Sequence, residues 1–114
     1  MRPFIKSLKF SFKGIREIVM RERNFRIQVL AAVGTIGLGF IFELNPLEWA
    51  LISLAIGIVF IAEAFNTAIE KLADAIHPEI HPRIALVKDI AAGAVLLAVF
   101  TALAIGSLIF FPHW

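Results

Sequence analysis

Apolar and polar positions divide the chain into one amphipathic segment and three long apolar segments. In the first 26 residues apolar side chains recur at helical spacing, namely Ile5, Leu8, Phe12, Ile15 and Val19. Basic side chains fill positions between them, namely Arg2, Lys6, Lys9, Lys13 and Arg16. This pattern predicts an amphipathic helix over 1–26 that lies on a membrane surface. Charges run through it and no small-residue cleavage site follows, so we expect it to remain in the mature protein.

The three apolar segments have membrane-spanning length. Residues 27–42 carry no charge, and as a helix they would span about 24 Å, so neighbouring residues are expected to complete the crossing. Residues 49–69 contain one charged residue, Glu63, and residues 90–111 contain none. We therefore predict transmembrane helices over 27–47, 48–70 and 90–111. The chain is expected to form one all-α integral membrane domain over 1–114.

Composition agrees with a membrane protein. Hydrophobic residues make up 60% of the chain and the mean hydropathy is +0.87, whereas soluble domains contain about 45–50% apolar residues. The chain has no cysteine, which excludes disulfides, thiolate metal sites and cysteine nucleophiles.

The distribution of lysine and arginine predicts the orientation. Residues 1–26 contain eight of the 11 basic side chains and 70–89 contain the other three. Because basic loops stay on the cytoplasmic side, we expect the N-terminus and the second loop to be cytoplasmic. Trp49 and Trp114 would then lie near the outer interface as aromatic anchors.

A polar stripe follows one face of the second predicted span. At about 100° per residue, its members fall within a sector about 80° wide; they are Glu63, Asn66, Glu70 and Asp74. A carboxylate inside a membrane costs a few kcal/mol or more, so such a stripe indicates a functional site. A structural alternative remains, in which Glu63 pairs with a donor from a neighbouring helix, such as Asn66 of another subunit.

The charges predicted at the cytoplasmic face suit phosphoryl transfer from a nucleotide. That reaction needs Mg²⁺ held by carboxylates, a cation on the phosphates, and a group that receives the acceptor's proton. Glu22 and Glu70 are candidate metal ligands, Lys88 can meet a phosphate, and Glu63 can act as the base. Each charge alone is also compatible with an ordinary surface or interface position, and only their conjunction favours the kinase.

Other functional classes fit less well. A small proton-coupled exporter would also use an intramembrane carboxylate such as Glu63, but it does not explain the acidic and basic cluster at one face. Nucleic acid is not an expected partner, because no groove-reading motif or stacking platform accompanies the basic segment. Gly34, Gly37 and Gly39 follow no strand, so they predict close helix packing rather than a phosphate loop.

The polar residues also carry a family resemblance. The chain contains Glu63-x-x-Asn66-Thr67-Ala68-Ile69-Glu70-x-x-x-Asp74, followed by Lys88-Asp89-x-Ala91-Ala92-Gly93-Ala94-Val95. This sequence resembles the prokaryotic diacylglycerol kinase family, which includes undecaprenol kinases. The likeness extends upstream to Ser11-Phe12-Lys13-Gly14-Ile15-Arg16 and Glu22-x-x-Phe25-Arg26, and so covers nearly the whole chain.

The resemblance implies an architecture and an activity. It implies a homotrimeric helical bundle in the bacterial plasma membrane, with active sites shared between subunits and ATP and Mg²⁺ as requirements. Glu63 would be the general base, and Glu22 and Glu70 the Mg²⁺ ligands. The remaining nucleotide-site positions implied by the resemblance are Phe10, Asn66, Asp74, Glu79, His81, Lys88 and Asp89. The two motifs look more like the undecaprenol branch, with diacylglycerol as the alternative lipid.

Overall fold

A computed structural model describes residues 2–113, which are helical almost throughout. Four α-helices follow one another: α1 (Arg2–Arg21), α2 (Arg23–Ile41), α3 (Pro46–Ile76) and α4 (Pro82–Phe110), with a short 3₁₀ turn at Phe111–His113. Within the described residues, α2, α3 and α4 are long and apolar enough to cross a membrane. The predicted all-α fold with an N-terminal helix and three spanning helices is confirmed. Trp114, a predicted anchor, lies outside the described residues.

The first two helices meet at Glu22. This residue has extended backbone angles, φ −101° and ψ 110°, so it separates α1 from α2. Residues 23–26, included in the predicted surface segment 1–26, are the first turn of α2. All the described residues of α1 have exposed or half-exposed side chains, which leaves both its basic and its apolar face available to a membrane surface.

A tight turn at residues 42–45 ends α2 before the predicted limit of its span, 47. Glu43 adopts φ 53°, in the left-handed region, and the N–H of Leu44 donates to the carbonyl of Gly39 at 3.1 Å. Asn45 and Glu48 then form a capping box that begins α3, with Pro46 in its first turn. The turn is therefore fixed by local backbone and capping interactions that hydropathy does not register.

Helix α3 is longer than the predicted span 48–70. Its 31 residues extend about 46 Å, whereas a hydrocarbon core is about 30 Å thick. The helix continues to Ile76 and stops before Pro78, and α4 begins at Pro82 rather than at the predicted residue 90. Both helices thus project beyond the apolar segments at the end that carries loop 77–81. We call this the loop end, and the opposite end, with residues 42–45, the turn end.

Helix α3 is the centre of the described chain. Helices α2 and α4 each pack on α3, but within residues 2–113 no Cα atom of α2 lies within 8 Å of a Cα atom of α4. A cluster of buried apolar residues lies at the turn end, where Leu44, Ile52 and Ile109 pack together. The polar stripe of α3, from Glu63 to Asp74, instead lies toward the loop end.

Gly39 allows α2 to approach Trp49 of α3. A Cβ atom at Gly39 would lie 2.5 Å from Cη2 of Trp49, closer than real Cβ contacts. The predicted packing role is confirmed for this glycine. Gly34 and Gly37 face open space within the described chain, so that role is not confirmed for them.

Candidate active site

The polar stripe of α3 passes from a buried to an exposed environment. Glu63 is only 4% exposed, and Asn66 and Thr67 are also buried. Glu70, one turn further on, is half-buried, and the Asp74 side chain is 62% exposed. The predicted shared face therefore leads from the interior of the bundle to its surface at the loop end.

Glu63 is held from a second helix. The side-chain amide of Gln28 on α2 donates to Oε2 of Glu63 at 3.3 Å. Gln28 was not predicted from the sequence as a site residue. The sequence feature that could have indicated it is a long polar side chain near the start of an otherwise apolar segment, but averaging of hydropathy over the segment hides one such residue.

Asn66 is oriented by Glu70. Its Nδ2 donates to Oε1 of Glu70 at 3.2 Å, across one helical turn. Asn66 Oδ1 and Thr67 Oγ1 are buried and have no hydrogen-bond partner within residues 2–113. Buried polar atoms are normally paired, so this part of α3 is suited to bind a polar group or water. Thr67 is a second position that the sequence analysis did not select.

Glu22 approaches the same region from the junction of α1 and α2. Its Oε1 lies 4.0 Å from Nζ of Lys71 on α3, and its carboxylate makes no capping hydrogen bond to α2. The carboxylates of Glu22 and Glu70 both lie within electrostatic range of Glu63. The fold thus brings together three acidic residues that are up to 48 positions apart in sequence (70 − 22 = 48).

Lys88 and Asp74 form an ion pair between α4 and α3. The Nζ of Lys88 donates to Oδ1 of Asp74. Asp89 is exposed on the next position of α4 and forms no ion pair within the described residues. The lysine therefore has a fixed acidic partner on α3, whereas the neighbouring aspartate remains open to solvent.

Loop 77–81 lies beside Lys88. A small cavity of about 140 Å³ is bordered by Glu79, His81 and Lys88. His81 begins α4, where its Nδ1 accepts a hydrogen bond from the backbone N–H of Arg83 at 3.1 Å, and Glu79 is exposed. Both loop positions selected from the sequence are thus close to the lysine.

Phe10 is not brought into this cluster. It lies on α1 with 69% of its surface exposed. Within the described residues α1 contacts α2 and α3 but not α4, which carries Lys88 and Asp89. A role for Phe10 would need the neighbouring subunit that the resemblance implies.

A large apolar cavity of about 490 Å³ lies beside Gln28, the hydrogen-bond partner of Glu63. It is lined by side chains of α2, α3 and α4, among them Gln28, Thr35, Phe60 and Leu103. It lies between α2 and α4, which both pack on α3 and, among the described residues, have no Cα atoms within 8 Å of one another. Gln28, which binds Glu63, is therefore also a lining residue of the cavity.

Comparisons with known proteins identify the family of this chain. The family described as prokaryotic diacylglycerol kinase matches residues 9–110. An undecaprenol kinase from Bacillus subtilis is 42% identical over 98% of this chain and 91% of its own length. Diacylglycerol kinases from Synechocystis and Escherichia coli K12 are 32% and 27% identical, over 93% and 96% of this chain and 61% and 90% of their own lengths. The chain belongs to the prokaryotic diacylglycerol kinase family.

Proposed function

We propose that this chain, as a single domain over 1–114, transfers the γ-phosphate of ATP to the primary hydroxyl of undecaprenol, giving undecaprenyl phosphate. The observation that supports the proposal most directly is the position of the Glu63 side chain. This buried carboxylate is hydrogen-bonded to Gln28, which lines an apolar cavity that suits a lipid chain, and it lies on the face of α3 that leads to a charged cluster at the surface. The relative of highest identity cited above is named an undecaprenol kinase.

The proposed reaction uses Glu63 as the general base. The carboxylate takes the proton of the lipid hydroxyl as that oxygen attacks the γ-phosphorus, and the bond from the γ-phosphorus to the bridging oxygen of ADP breaks. Catalysis then depends mainly on positioning and on charge stabilisation. Glu63 is suited to this role because it lies at the boundary that both substrates must reach.

Glu22 and Glu70 are the proposed ligands of Mg²⁺. Within residues 2–113 there is no group of three or more acidic or histidine side chains that could bind a metal alone. Two carboxylates nevertheless fit Mg²⁺, which keeps several waters and takes other ligands from substrate phosphates. When bound, the ion would neutralise charge on the phosphates.

The nucleotide is proposed to lie at the loop end. Lys88 would contact its phosphates, while Asp74 holds the lysine through their ion pair. Asn66 would shape the site through its hydrogen bond to Glu70. The other proposed nucleotide contacts are Phe10, Glu79, His81 and Asp89.

We propose that the protein lies in the bacterial plasma membrane with its N-terminus and active site on the cytoplasmic side. The positive charge of 1–26 supports this orientation. Since the chain has no cysteine, single introduced cysteines can be used to measure this orientation. In intact cells, an impermeant thiol reagent is expected to label Leu47→Cys at the turn end and to leave Ile80→Cys unlabelled until the cells are opened. The reverse pattern would contradict the orientation.

We propose that the active protein is a homotrimer with shared sites. Large apolar side chains are exposed along all three spanning helices, and only a few are buried within the chain. Phe10, which α1 does not bring to α4, would reach a nucleotide bound by another subunit. The subunit count rests on the family resemblance; light scattering in detergent is expected to give three chains, and a monodisperse active monomer would contradict it.

The lipid can be identified directly. Radiolabelled γ-phosphate transfer from ATP is measured in mixed micelles with undecaprenol or diacylglycerol, using Glu63→Gln as the control enzyme. Labelling of undecaprenol is expected. Labelling of diacylglycerol alone would favour phosphatidic acid synthesis, which the names of the Synechocystis and Escherichia coli relatives suggest. Labelling of neither lipid would overturn the proposal and favour the alternative of a proton-coupled exporter.

A further inference from the structure

Gln28 occupies a position that the proposed reaction does not yet use. It lies on α2, contacts the carboxylate of Glu63 at 3.3 Å, and lines the apolar cavity. Within residues 2–113, this is the one side-chain hydrogen bond that Glu63 makes. A buried carboxylate requires such a partner, because an unpaired charge in an apolar environment is unstable.

The chemistry of the pair fixes how the amide is turned. A carboxylate only accepts hydrogen bonds, so the NH₂ group of Gln28 must face Glu63 and its carbonyl oxygen must face elsewhere. That oxygen, Oε1, is buried and has no partner within the described residues. One oxygen of Glu63 is therefore occupied by the amide, and the acceptor side of Gln28 is left unused.

We propose that Gln28 is a positioning residue for the general base. This role rests on the proposed kinase function. The amide of Gln28 holds Oε2 of Glu63 and so directs Oε1 to the hydroxyl of a lipid in the cavity. Without the amide, the carboxylate would turn between rotamers, and the fraction of productive geometry would fall. Gln28 would thus affect turnover through Glu63 and leave ATP binding unaltered.

The variant Gln28→Met tests this role because methionine has a similar length and no hydrogen-bonding amide. We expect kcat for lipid phosphorylation to fall about tenfold, as for other losses of positioning, with the KM for ATP unchanged. Thr101→Val is the control: Thr101 lies on α4 outside the lining of the cavity, and its hydroxyl donates to the Leu97 carbonyl of its own helix rather than to an acidic group. Its kcat is expected to stay within about twofold of wild type.

A double-mutant cycle separates positioning from a general structural effect. If Gln28 acts through Glu63, adding Gln28→Met to Glu63→Gln should leave the residual rate unchanged within about twofold. An equal loss in both backgrounds, or an equal loss in Thr101→Val, would overturn the proposal in favour of packing. Gln28→Asn, which keeps the amide but withdraws it by one methylene, is expected to behave like Gln28→Met and gives a second test if that variant assembles poorly.

The outcomes also separate this inference from the function on which it rests. Wild-type protein that labels neither lipid would overturn the kinase proposal and the role of Gln28 with it. Active wild-type protein with an undiminished kcat in both Gln28→Met and Gln28→Asn would overturn the role of Gln28 alone.

Discussion

Lys88 of α4 is paired with Asp74 of α3, 14 positions earlier in the chain. The pair joins the two helices at the loop end, beyond the apolar segment of each. Both side chains are partly exposed, and such pairs contribute at most about 1 kcal/mol to stability. The pair therefore matters mainly for position: in the proposed site, Asp74 would determine where the ammonium group of Lys88 meets a bound phosphate.

Replacement of Lys88 should weaken nucleotide binding. We expect Lys88→Met to raise the KM for ATP about tenfold, since a charge-assisted contact to phosphate is lost. Asp74→Asn leaves Lys88 charged but removes its ion-pair partner, so a smaller increase in the KM for ATP is expected. Steady-state kinetics at varied ATP concentration provide the measurement. Lys9→Met, which removes a charge from exposed α1, is the control, and an equal rise in its KM would indicate a nonspecific effect of net charge.

Replacement of Glu63 should affect chemistry rather than binding. Glu63→Gln retains the shape of the side chain but cannot accept the hydroxyl proton, so kcat should fall about 100-fold or more. ATP binding is expected to be unchanged. The two quantities are measured by phosphate transfer and by equilibrium nucleotide binding on the same purified protein. Wild-type turnover in an assembled variant would exclude Glu63 as the base.

Replacement of Glu70 should alter the metal requirement. Loss of one of two carboxylate ligands is expected to shift the Mg²⁺ concentration for half-maximal activity upward by about tenfold or more. The measurement is a Mg²⁺ titration at saturating ATP and lipid. Glu17→Gln is the matched control because Glu17 lies on exposed α1 and, among residues 2–113, forms an ion pair only with Arg21 one turn away. A Mg²⁺ dependence identical to wild type in Glu70→Gln would contradict the assignment.

The contact between Gly39 and Trp49 predicts a stability difference between two glycines of α2. Gly39→Ala places a methyl group against the indole ring, and such overpacking is expected to destabilise the fold by about 1–3 kcal/mol. Gly37→Ala meets no atom within 4 Å and should be neutral or slightly stabilising. Thermal unfolding in one detergent compares the two variants. Equal midpoints would show that α2 does not pack on Trp49 as described.

Residues whose role depends on local pattern were predictable from the sequence. Glu63 stood out because a carboxylate interrupts an apolar segment, and Asn66, Glu70 and Asp74 followed from helical periodicity. A loop was predicted between the spans 48–70 and 90–111, but α3 and α4 both continue into this stretch and leave only 77–81 as the loop. Gln28 and Thr67 were not selected, because neither is charged and their relevance depends on which helix lies opposite.

The sequence by itself determined the membrane class, the number of spanning helices and the polar face of α3, because hydropathy and helical periodicity are properties of neighbouring residues. Tertiary structure decided that Glu22 reaches the neighbourhood of Glu63, that Gln28 is the residue that holds Glu63, and that α2 and α4 leave a cavity between them. These features depend on the relative placement of whole helices, which is set by side-chain packing and by the turn at 42–45. The pattern of residues along a single segment does not contain this information, because the packing involves residues of different helices.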